Sequence, residues 1–500
     1  MKKMKKIVVL AALIISGCQS SKETEELPFK QLTNLIDQYA DNTLEKGNIN
    51  SLAIAIYKEG QVYHNYYGNI HKDSKDLPSD RSVYEIASIT KVFVGSLAAK
   101  AVLESKISLD DDIRAYLEGD YPNLEFEETP ITIKNLLTHT LGFKNKRPEK
   151  LEDVENKISS GYYENRPLDY NINDFLQELN TIELDKKPGT FYRYNSIGPE
   201  LVAYILEQVY NDSFENILAR FLTELDMKNT YLQNSRKEQS EYLVDGYNEN
   251  GNLAPKAKSP LLGGGGGMLS TLPDLIKFMK FQFESNDPLI KESTKKLFEN
   301  NDDDKLGYLW DVDVAEKEGF YYMKTGSSNG IQSVVLICPD SKYGLILIAN
   351  STSEKAFNDW ALLYDKIETD LLMYPKRNLV SLLKDEFITN PNQAITNYNE
   401  FVKEDKTYYT VHDNLSDALN NLGYEFLNEN ETKKAIQIFK LVVSEYPDNS
   451  NAYDSLGEAY FVDNDYSNAL INYKKSLELN PNNDNAKKII SEINELKHID

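Results

Sequence analysis

A serine and a lysine three residues apart, Ser88 and Lys91, are the residues of this chain best placed to do chemistry. Residues at this spacing lie on the same face of a helix, so the hydroxyl and the amine would meet there. A serine hydroxyl is a weak nucleophile at neutral pH and needs a neighbouring base. Lys91 can be that base if burial or a second cation holds its amine neutral. The pair is therefore a candidate for nucleophilic catalysis.

The spacing alone does not identify a catalytic pair, because Ser-x-x-Lys also occurs at Ser293 and Ser381. Those two copies lie in polar or ordinary amphipathic segments. Ser88 instead precedes the apolar residues 92–103, which are rich in alanine and leucine and predict a buried helix. In the first turn of that helix, free backbone N–H groups and the helix dipole would favour negative charge developing at Ser88.

The segments that must position further polar residues are predicted strands. Residues 51–57 and 61–68, joined by a turn that contains Gly60, predict a β-hairpin. Residues 320–327, 331–338 and 343–350 predict an antiparallel meander, whose first strand ends in Lys-Thr-Gly.

A Pro-Gly turn introduces a short aromatic strand that ends at Tyr194 and Ser196, which share one face if the segment is extended.

Two further segments have competing interpretations. His139 lies at the end of a predicted helix, residues 131–142, with Gly142 as its C-cap. It is either a second catalytic base or a packed structural histidine, and the second is favoured because Lys91 already supplies a base. The five glycines at 263–267 lack the Lys-Ser/Thr pair of a phosphate-binding loop, so they indicate close backbone approach.

Taken in chain order, Ser88-x-x-Lys91, Tyr194-Asn195-Ser196 and Lys324-Thr325-Gly326 resemble the motifs of the serine β-lactamase and penicillin-binding protein superfamily. The chain is similar to the branch of class C β-lactamases and D-Ala-D-Ala carboxypeptidases, which also contains esterases and D-aminopeptidases. The resemblance covers about residues 30–375. It implies an α/β fold, with an antiparallel sheet flanked by helices and a helical subdomain.

The resemblance also implies a role for each motif residue and requires no cofactor. Ser88 would attack a carbonyl carbon and form an acyl-enzyme, while Lys91 and Tyr194 move its proton. The implied substrate-binding residues are Ser196, Lys324, Thr325 and Gly326, with Lys324 and Thr325 on a substrate carboxylate. Backbone N–H groups of Ser88 and Ser327 would form the oxyanion hole.

Ser196 departs from the family pattern, which has Asn at the third position of the Tyr-x-Asn motif. A hydroxyl is shorter and lacks the paired donor and acceptor of an amide, which predicts a weaker grip on amides and β-lactams. Three functions stay open: an amide hydrolase like the β-lactamases and carboxypeptidases, an esterase at the same site, and a non-catalytic penicillin-recognising sensor or scaffold. The intact residues Ser88, Lys91, Tyr194 and Lys324 favour an enzyme that acts on a small-molecule or peptide ester or amide.

The N-terminus has the pattern of a targeting segment. Lysines at positions 2, 3, 5 and 6 precede the apolar residues 7–15, and Ile-Ser-Gly-Cys at 15–18 resembles the bacterial lipoprotein cleavage box. The resemblance implies lipidation of Cys18 and an extracytoplasmic protein anchored to a bacterial membrane. An uncleaved anchor and a plain secretory signal are the alternatives. Residues 19–28 are polar and predict a flexible tether before a hydrolase domain at 29–375.

The C-terminal part repeats itself with a period of 34 residues, which is typical of tetratricopeptide repeats. The matched pairs are Gly423 and Gly457, Ala435 and Ala469, Phe439 and Tyr473, and Pro447 and Pro481. We therefore predict an all-α repeat domain at 415–500 with a capping helix, preceded at 376–414 by a linker or a degenerate repeat. Its function is either to bind a partner peptide in a groove or to extend the packing of the enzyme.

Composition and histidine spacing argue against nucleic acid and metal ions as ligands. The net charge of −24 argues against nucleic acid, because phosphate binding needs a basic face. The five histidines include no pair at metal-ligand spacing, so no metal site is predicted.

Overall fold

The computed structural model describes residues 19–72, 74–235, 241–300, 304–401, 408–409 and 415–496. Cys18 and the residues before it lie outside these residues, so the targeting segment and the lipidation stay predictions. The described residues divide into two units, one within residues 33–372 and the other within residues 1–32 and 373–500. Within the described residues, no helix combines the length and the apolar character that crossing a bilayer requires.

The larger unit contains an eight-stranded antiparallel sheet among its described strands. The strands in chain order are β1 (Ser51–Lys58), β2 (Gln61–Gly68), β3 (Val83–Glu85), β4 (Glu125–Phe126), β5 (Thr129–Pro130), β6 (Tyr231–Leu232), β7 (Met268–Thr271), β8 (Phe298–Glu299), β9 (Lys305–Leu306), β10 (Asp311–Ala315), β11 (Gly319–Ser327), β12 (Gln332–Cys338) and β13 (Tyr343–Ala349). The sheet order is β2-β1-β13-β12-β11-β10-β9-β8. Strands β1, β12 and β13 are buried along their whole length, which explains their nearly continuous apolar sequences.

Helices surround this sheet and form a helical subdomain. They are α1 (Gln19–Glu45), which crosses the boundary between the units, α2 (Thr90–Leu103), α3 (Ile133–Leu137), α4 (Glu149–Ser159), α5 (Ile172–Leu179), α6 (Ile197–Tyr210), α7 (Phe214–Glu224), α8 (Leu272–Glu284), α9 (Pro288–Ser293) and α10 (Glu354–Met373). Helix α8 packs against β1, β12 and β13, and α2 packs against α6 and α9. The hairpin, the meander and the buried helix after Ser88 are therefore confirmed.

Two predicted segments differ from the structure. Residues 19–28, expected as a flexible tether, belong to α1, because their glutamates, lysine and glutamine are polar but favour helix. The helix predicted to end at Gly142 ends at Leu137, since His139 has a left-handed φ of 55°. The segment before Tyr194 is irregular rather than a strand, and the N–H of Arg193 in it donates to the carbonyl of His139.

The other unit is built from pairs of helices. After β14 (Arg377–Asn378) come α11 (Leu379–Thr389) and α12 (Pro391–Phe401), then β15 (Tyr408–Tyr409), α13 (Leu415–Asn428), α14 (Thr432–Glu445), α15 (Ser450–Val462), α16 (Tyr466–Leu479) and α17 (Asp484–Leu496). Ala394 and Tyr398 on α12 are buried in the core that the repeats share. The pair α11–α12 favours a degenerate repeat over a linker.

The packing of the repeats predicts how substitutions at their two matched glycines change the free energy of unfolding. A Cβ at Gly423 would overlap the ring of Phe439, whereas a Cβ at Gly457 would lie 3.1 Å from the ring of Tyr473. We expect Gly423→Ala to lower the free energy of unfolding by about 1–3 kcal/mol, the usual cost of overpacking a core. Gly457→Ala is the matched control and should be near neutral, because alanine gains about 1 kcal/mol of helix propensity.

Hydrogen exchange of the α13–α16 amides in the full chain measures both variants. Equal protection in Gly423→Ala and Gly457→Ala would contradict the packing argument.

Candidate active site

Ser88 lies in a single 3-10 turn, residues 87–89, that leads directly into α2. Residues 90–99 of α2 are all buried, while Ser88 itself is half-buried. Ala87 has a left-handed φ of 44°, which is uncommon for a residue with a side chain and is found where surrounding structure enforces it. The serine is therefore held at the edge of the core and is reachable from solvent.

Lys91 brings a buried amine to the serine. Its side chain has no exposed surface, and its Nζ lies 3.0 Å from Ser88 Oγ and 3.4 Å from Ser196 Oγ. The amine also donates a short hydrogen bond to the carbonyl of Gly265. Burial, and then the positive charge of Lys324, lower the pKa of Lys91 to about 7. A large fraction of Lys91 is therefore neutral at neutral pH and can accept a proton.

Tyr194 completes the contacts of the serine. Its hydroxyl donates to Ser88 Oγ over 2.6 Å. Burial raises the pKa of Tyr194 to about 12, so the side chain is a phenol at neutral pH. The amines of Lys91 and Lys324 lie 5.0 Å and 5.3 Å from the centre of its ring. Tyr194 is thus placed to give a proton rather than to take one.

Lys324 lies near the end of β11 and is only 2% exposed. Its Nζ lies 3.2 Å and 3.3 Å from the two carboxylate oxygens of Asp311 on the neighbouring strand β10. A substrate carboxylate would have to share this amine with Asp311. Thr325, the next residue, is exposed.

Gly326 is a position where no side chain fits. A Cβ at this position would lie 2.5 Å from the carbonyl of Ile86 and 2.7 Å from Ser333 Oγ. The glycine is required because β11 runs against the backbone that carries Ser88, so the room it leaves is filled by protein. Ser327 follows at the exposed end of the strand, beside that same turn.

Ser196 Oγ contacts the amine of Lys91. The neighbouring Asn195 does not take the place of the asparagine that the family pattern has at position 196. Asn195 Oδ1 accepts the N–H of Gly198, and Asn195 Nδ2 donates to the carbonyl of Arg193, each over 2.9 Å. Asn195 therefore fixes the start of α6, and its amide is occupied by backbone. A cavity of about 250 Å³ borders Ser196, Ala87 and Ser327.

His139 does not contact Ser88. Its ring centre lies 4.6 Å from that of Tyr194, and the side chain is 1% exposed. Neither ring nitrogen has a hydrogen-bond partner in the part of the chain that the structure describes. Burial and the charges of Lys324 and Lys91 lower the pKa of His139 well below its ordinary value, so the ring is neutral. This geometry agrees with a packing role.

Two carboxylates at the site were not predicted from the sequence. Asp311 pairs with Lys324, and Glu200 is buried in the first turn of α6. A charged residue directly before the apolar residues 201–206 is the signal that could have indicated Glu200. The glycine run that Glu200 contacts is explained by close approach: a Cβ at Gly264 would lie 2.8 Å from the carbonyl of Pro199.

A family model described as Beta-lactamase matches residues 35–367. The chain belongs to the beta-lactamase family. Two models described as Tetratricopeptide repeat match residues 416–449 and 450–483, which confirms the 34-residue period. Whether the repeats bind a peptide or extend the packing of the enzyme stays a prediction.

Individual relatives are distant. The chain is 25% identical over 362 residues to Protein flp of Staphylococcus aureus strain MRSA252, covering 70% of this chain and 69% of that protein. A solved β-lactamase/D-alanine carboxypeptidase from Yersinia pestis is 20% identical, with a TM-score of 0.58 over 68% of this chain and 98% of the other. The octameric penicillin-binding protein homologue from Pyrococcus abyssi is 22% identical, with a TM-score of 0.57 over 67% and 77%. These structures confirm the predicted α/β fold of the beta-lactamase-family unit.

The lowered pKa of Lys91 predicts the pH dependence of attack by Ser88. Lys91 must be neutral to take the proton, so the rate should rise about tenfold per pH unit below a midpoint near 7 and then level off. Lys324→Met removes a cation that lowers the pKa of Lys91, so the midpoint should move to higher pH. The measurement is the rate of covalent labelling by a fluorophosphonate between about pH 5 and pH 9.

Lys305→Met is the control, since it breaks a comparable pair with Asp313, at 2.7 Å, in the same sheet. An equal shift of the midpoint in both variants would show that the effect does not come from the charge of Lys324.

Proposed function

We propose that this protein is a serine hydrolase that forms an acyl-enzyme on Ser88 with an ester or amide substrate. The observation that carries the proposal is the double contact of Ser88 Oγ, with the phenol of Tyr194 at 2.6 Å and the buried amine of Lys91 at 3.0 Å. A hydroxyl that is hydrogen-bonded to a base of pKa about 7 is an activated nucleophile.

Each group would have a defined part in the reaction. The lone pair of neutral Lys91 takes the proton of Ser88 as Oγ forms a bond to the carbonyl carbon. The carbonyl π electrons move onto oxygen, which the backbone N–H groups of Ser88 and Ser327 would stabilise by about 3–4 kcal/mol each. When the bond to the leaving group breaks, Tyr194 gives that group a proton and regains one from Lys91. Water then hydrolyses the acyl-enzyme by the reverse route.

Two features favour esters over β-lactams as substrates. Ser196 offers one hydroxyl where an amide side chain would offer a paired donor and acceptor. The amine of Lys324 is already paired with Asp311, which competes with the carboxylate that β-lactams and D-Ala-D-Ala peptides carry. Esters have better leaving groups and need less positioning.

The proposal is tested first by replacing the nucleophile. A fluorophosphonate probe should add one label to the natural chain, and peptide mapping should place it on Ser88. Ser88→Ala should abolish the label, whereas Ser293→Ala, which alters another Ser-x-x-Lys serine, should keep it. A label that survives Ser88→Ala would refute the proposed mechanism.

Ser196→Asn should shift the substrate preference. The added amide grip is expected to raise the ratio of nitrocefin to p-nitrophenyl acetate turnover about tenfold, which corresponds to roughly 1.4 kcal/mol of transition-state binding. The measurement is kcat/KM for both substrates, with a D-Ala-D-Ala peptide as a third. Ser196→Ala is the control and should not favour nitrocefin. A natural protein that already prefers nitrocefin would contradict the ester preference.

A further inference from the structure

A buried carboxylate that the proposed reaction does not use lies behind Lys91. Glu200, on the first turn of α6, is 5% exposed. Its Oε1 accepts the N–H of Gly265 over 2.8 Å, and its Oε2 accepts the N–H of Gly263 over 3.1 Å. One carboxylate therefore holds two peptide groups of the glycine run, on either side of Gly264.

No side chain fits at Gly265, the central residue of the glycine run. A Cβ at Gly265 would lie 2.9 Å from Ser196 Cβ and 3.1 Å from Glu200 Oε1. The backbone of Gly265 is thus pressed against the start of α6, with its N–H on Glu200 and its carbonyl on Lys91. A single peptide unit separates the carboxylate from the base.

This arrangement fixes which part of the amine faces the nucleophile. A neutral amine has two N–H groups and one lone pair. The carbonyl of Gly265 can only accept, so it takes one N–H of Lys91. Ser196 Oγ, at 3.4 Å, can accept the other. Ser88 Oγ already accepts from Tyr194, so its own O–H is free to donate to the amine. The lone pair is then left for the hydroxyl of Ser88, at 3.0 Å.

We propose that Glu200 is a positioning residue that anchors the glycine run, holds the carbonyl of Gly265 on Lys91 and so directs the lone pair of the amine at Ser88. The inference rests on the proposed function, because it concerns the base of that reaction. Glu200 acts through the glycine backbone, to which its carboxylate is hydrogen-bonded.

The charges around the amine give this role a separate signature. The carboxylates of Glu200 and Glu155 raise the pKa of Lys91, whereas Lys324 and Arg147 lower it, together with burial. Tyr194, the remaining titratable group in contact with Ser88, is a neutral phenol. Burial raises the pKa of Glu200 itself to about 7, so this carboxylate is charged only in the upper part of the acidic limb of the rate profile. Removing that charge should lower the pKa of Lys91 and move the midpoint of the profile to lower pH.

The test uses Glu200→Gln in the full chain, with fluorophosphonate labelling of Ser88 followed against pH. The side-chain amide of Gln would turn an N–H₂ group toward a backbone N–H, so at least one anchor is lost. We expect the plateau rate to fall about 10–100-fold, as for a small displacement of a catalytic group. The midpoint should move to lower pH, and the concentration of probe that gives half-maximal rate should stay unchanged.

Glu207→Gln is the matched control on the same helix. Glu207 accepts the N–H of Phe214 over 2.7 Å at the start of α7, and burial raises its pKa as it does that of Glu200. This variant should keep both the rate and the midpoint of the natural chain. An equal loss of rate in both variants would mean that α6 is merely destabilised and would overturn the inference.

Glu200→Asp keeps the test decisive if Glu200→Gln does not fold. It retains the charge but shortens the side chain, so the plateau rate should fall while the midpoint stays close to that of the natural chain. Natural rate and midpoint in the variant that folds would overturn the inference. A natural chain that takes no label at Ser88 would refute the proposed function instead, so the two failures are distinguishable.

Discussion

The site depends on keeping the amine of Lys91 out of water. An exposed lysine would be an ammonium ion at neutral pH and could not take a proton from Ser88. Burial is the largest cause of its lowered pKa, and the apolar helix α2 provides that burial. A buried polar group without a hydrogen-bond partner is costly. The Nζ of Lys91 has three oxygen neighbours, Ser88 Oγ, Ser196 Oγ and the carbonyl of Gly265. The chemistry that we propose for Ser88 therefore depends on how α2 is packed.

The sheet supplies the second cause of the lowered pKa of Lys91, which is the positive charge of Lys324. Lys324 and Gly326 lie on β11, which pairs with β12 along residues 322–327. Because Gly326 has no side chain, this strand can run against the backbone before Ser88. The charge of Lys324 thus acts on Lys91 from a rigid strand, which holds a functional group more precisely than a loop does. Asp311 on β10 is paired with Lys324 and balances that charge.

Many of the helices, strands and repeats could be predicted from local sequence patterns. The apolar run after Ser88 indicated α2, since a buried helix needs a long apolar stretch. Hairpin and meander strands were indicated by apolar segments between turn residues, and the repeats by glycine, alanine and aromatic residues at a fixed period. The glycine run indicated close backbone approach, which the contact of Gly264 with Pro199 bears out. These features depend on residues close together in the chain or on a regular spacing.

The sequence by itself determined the family, the main elements and which serine, lysine and tyrosine to consider, because their types and order carry that information. Only the tertiary structure decided what surrounds them. The contact of Glu200 with Gly265 and the pair of Lys324 with Asp311 join segments that no periodicity relates. The residues that follow α3 are joined to the irregular segment before Tyr194 by backbone hydrogen bonds, from the N–H of Gly189 to the carbonyl of Thr140 and from the N–H of Arg193 to that of His139. Such contacts form when distant residues are brought together by packing of the whole unit, and local propensity does not specify them.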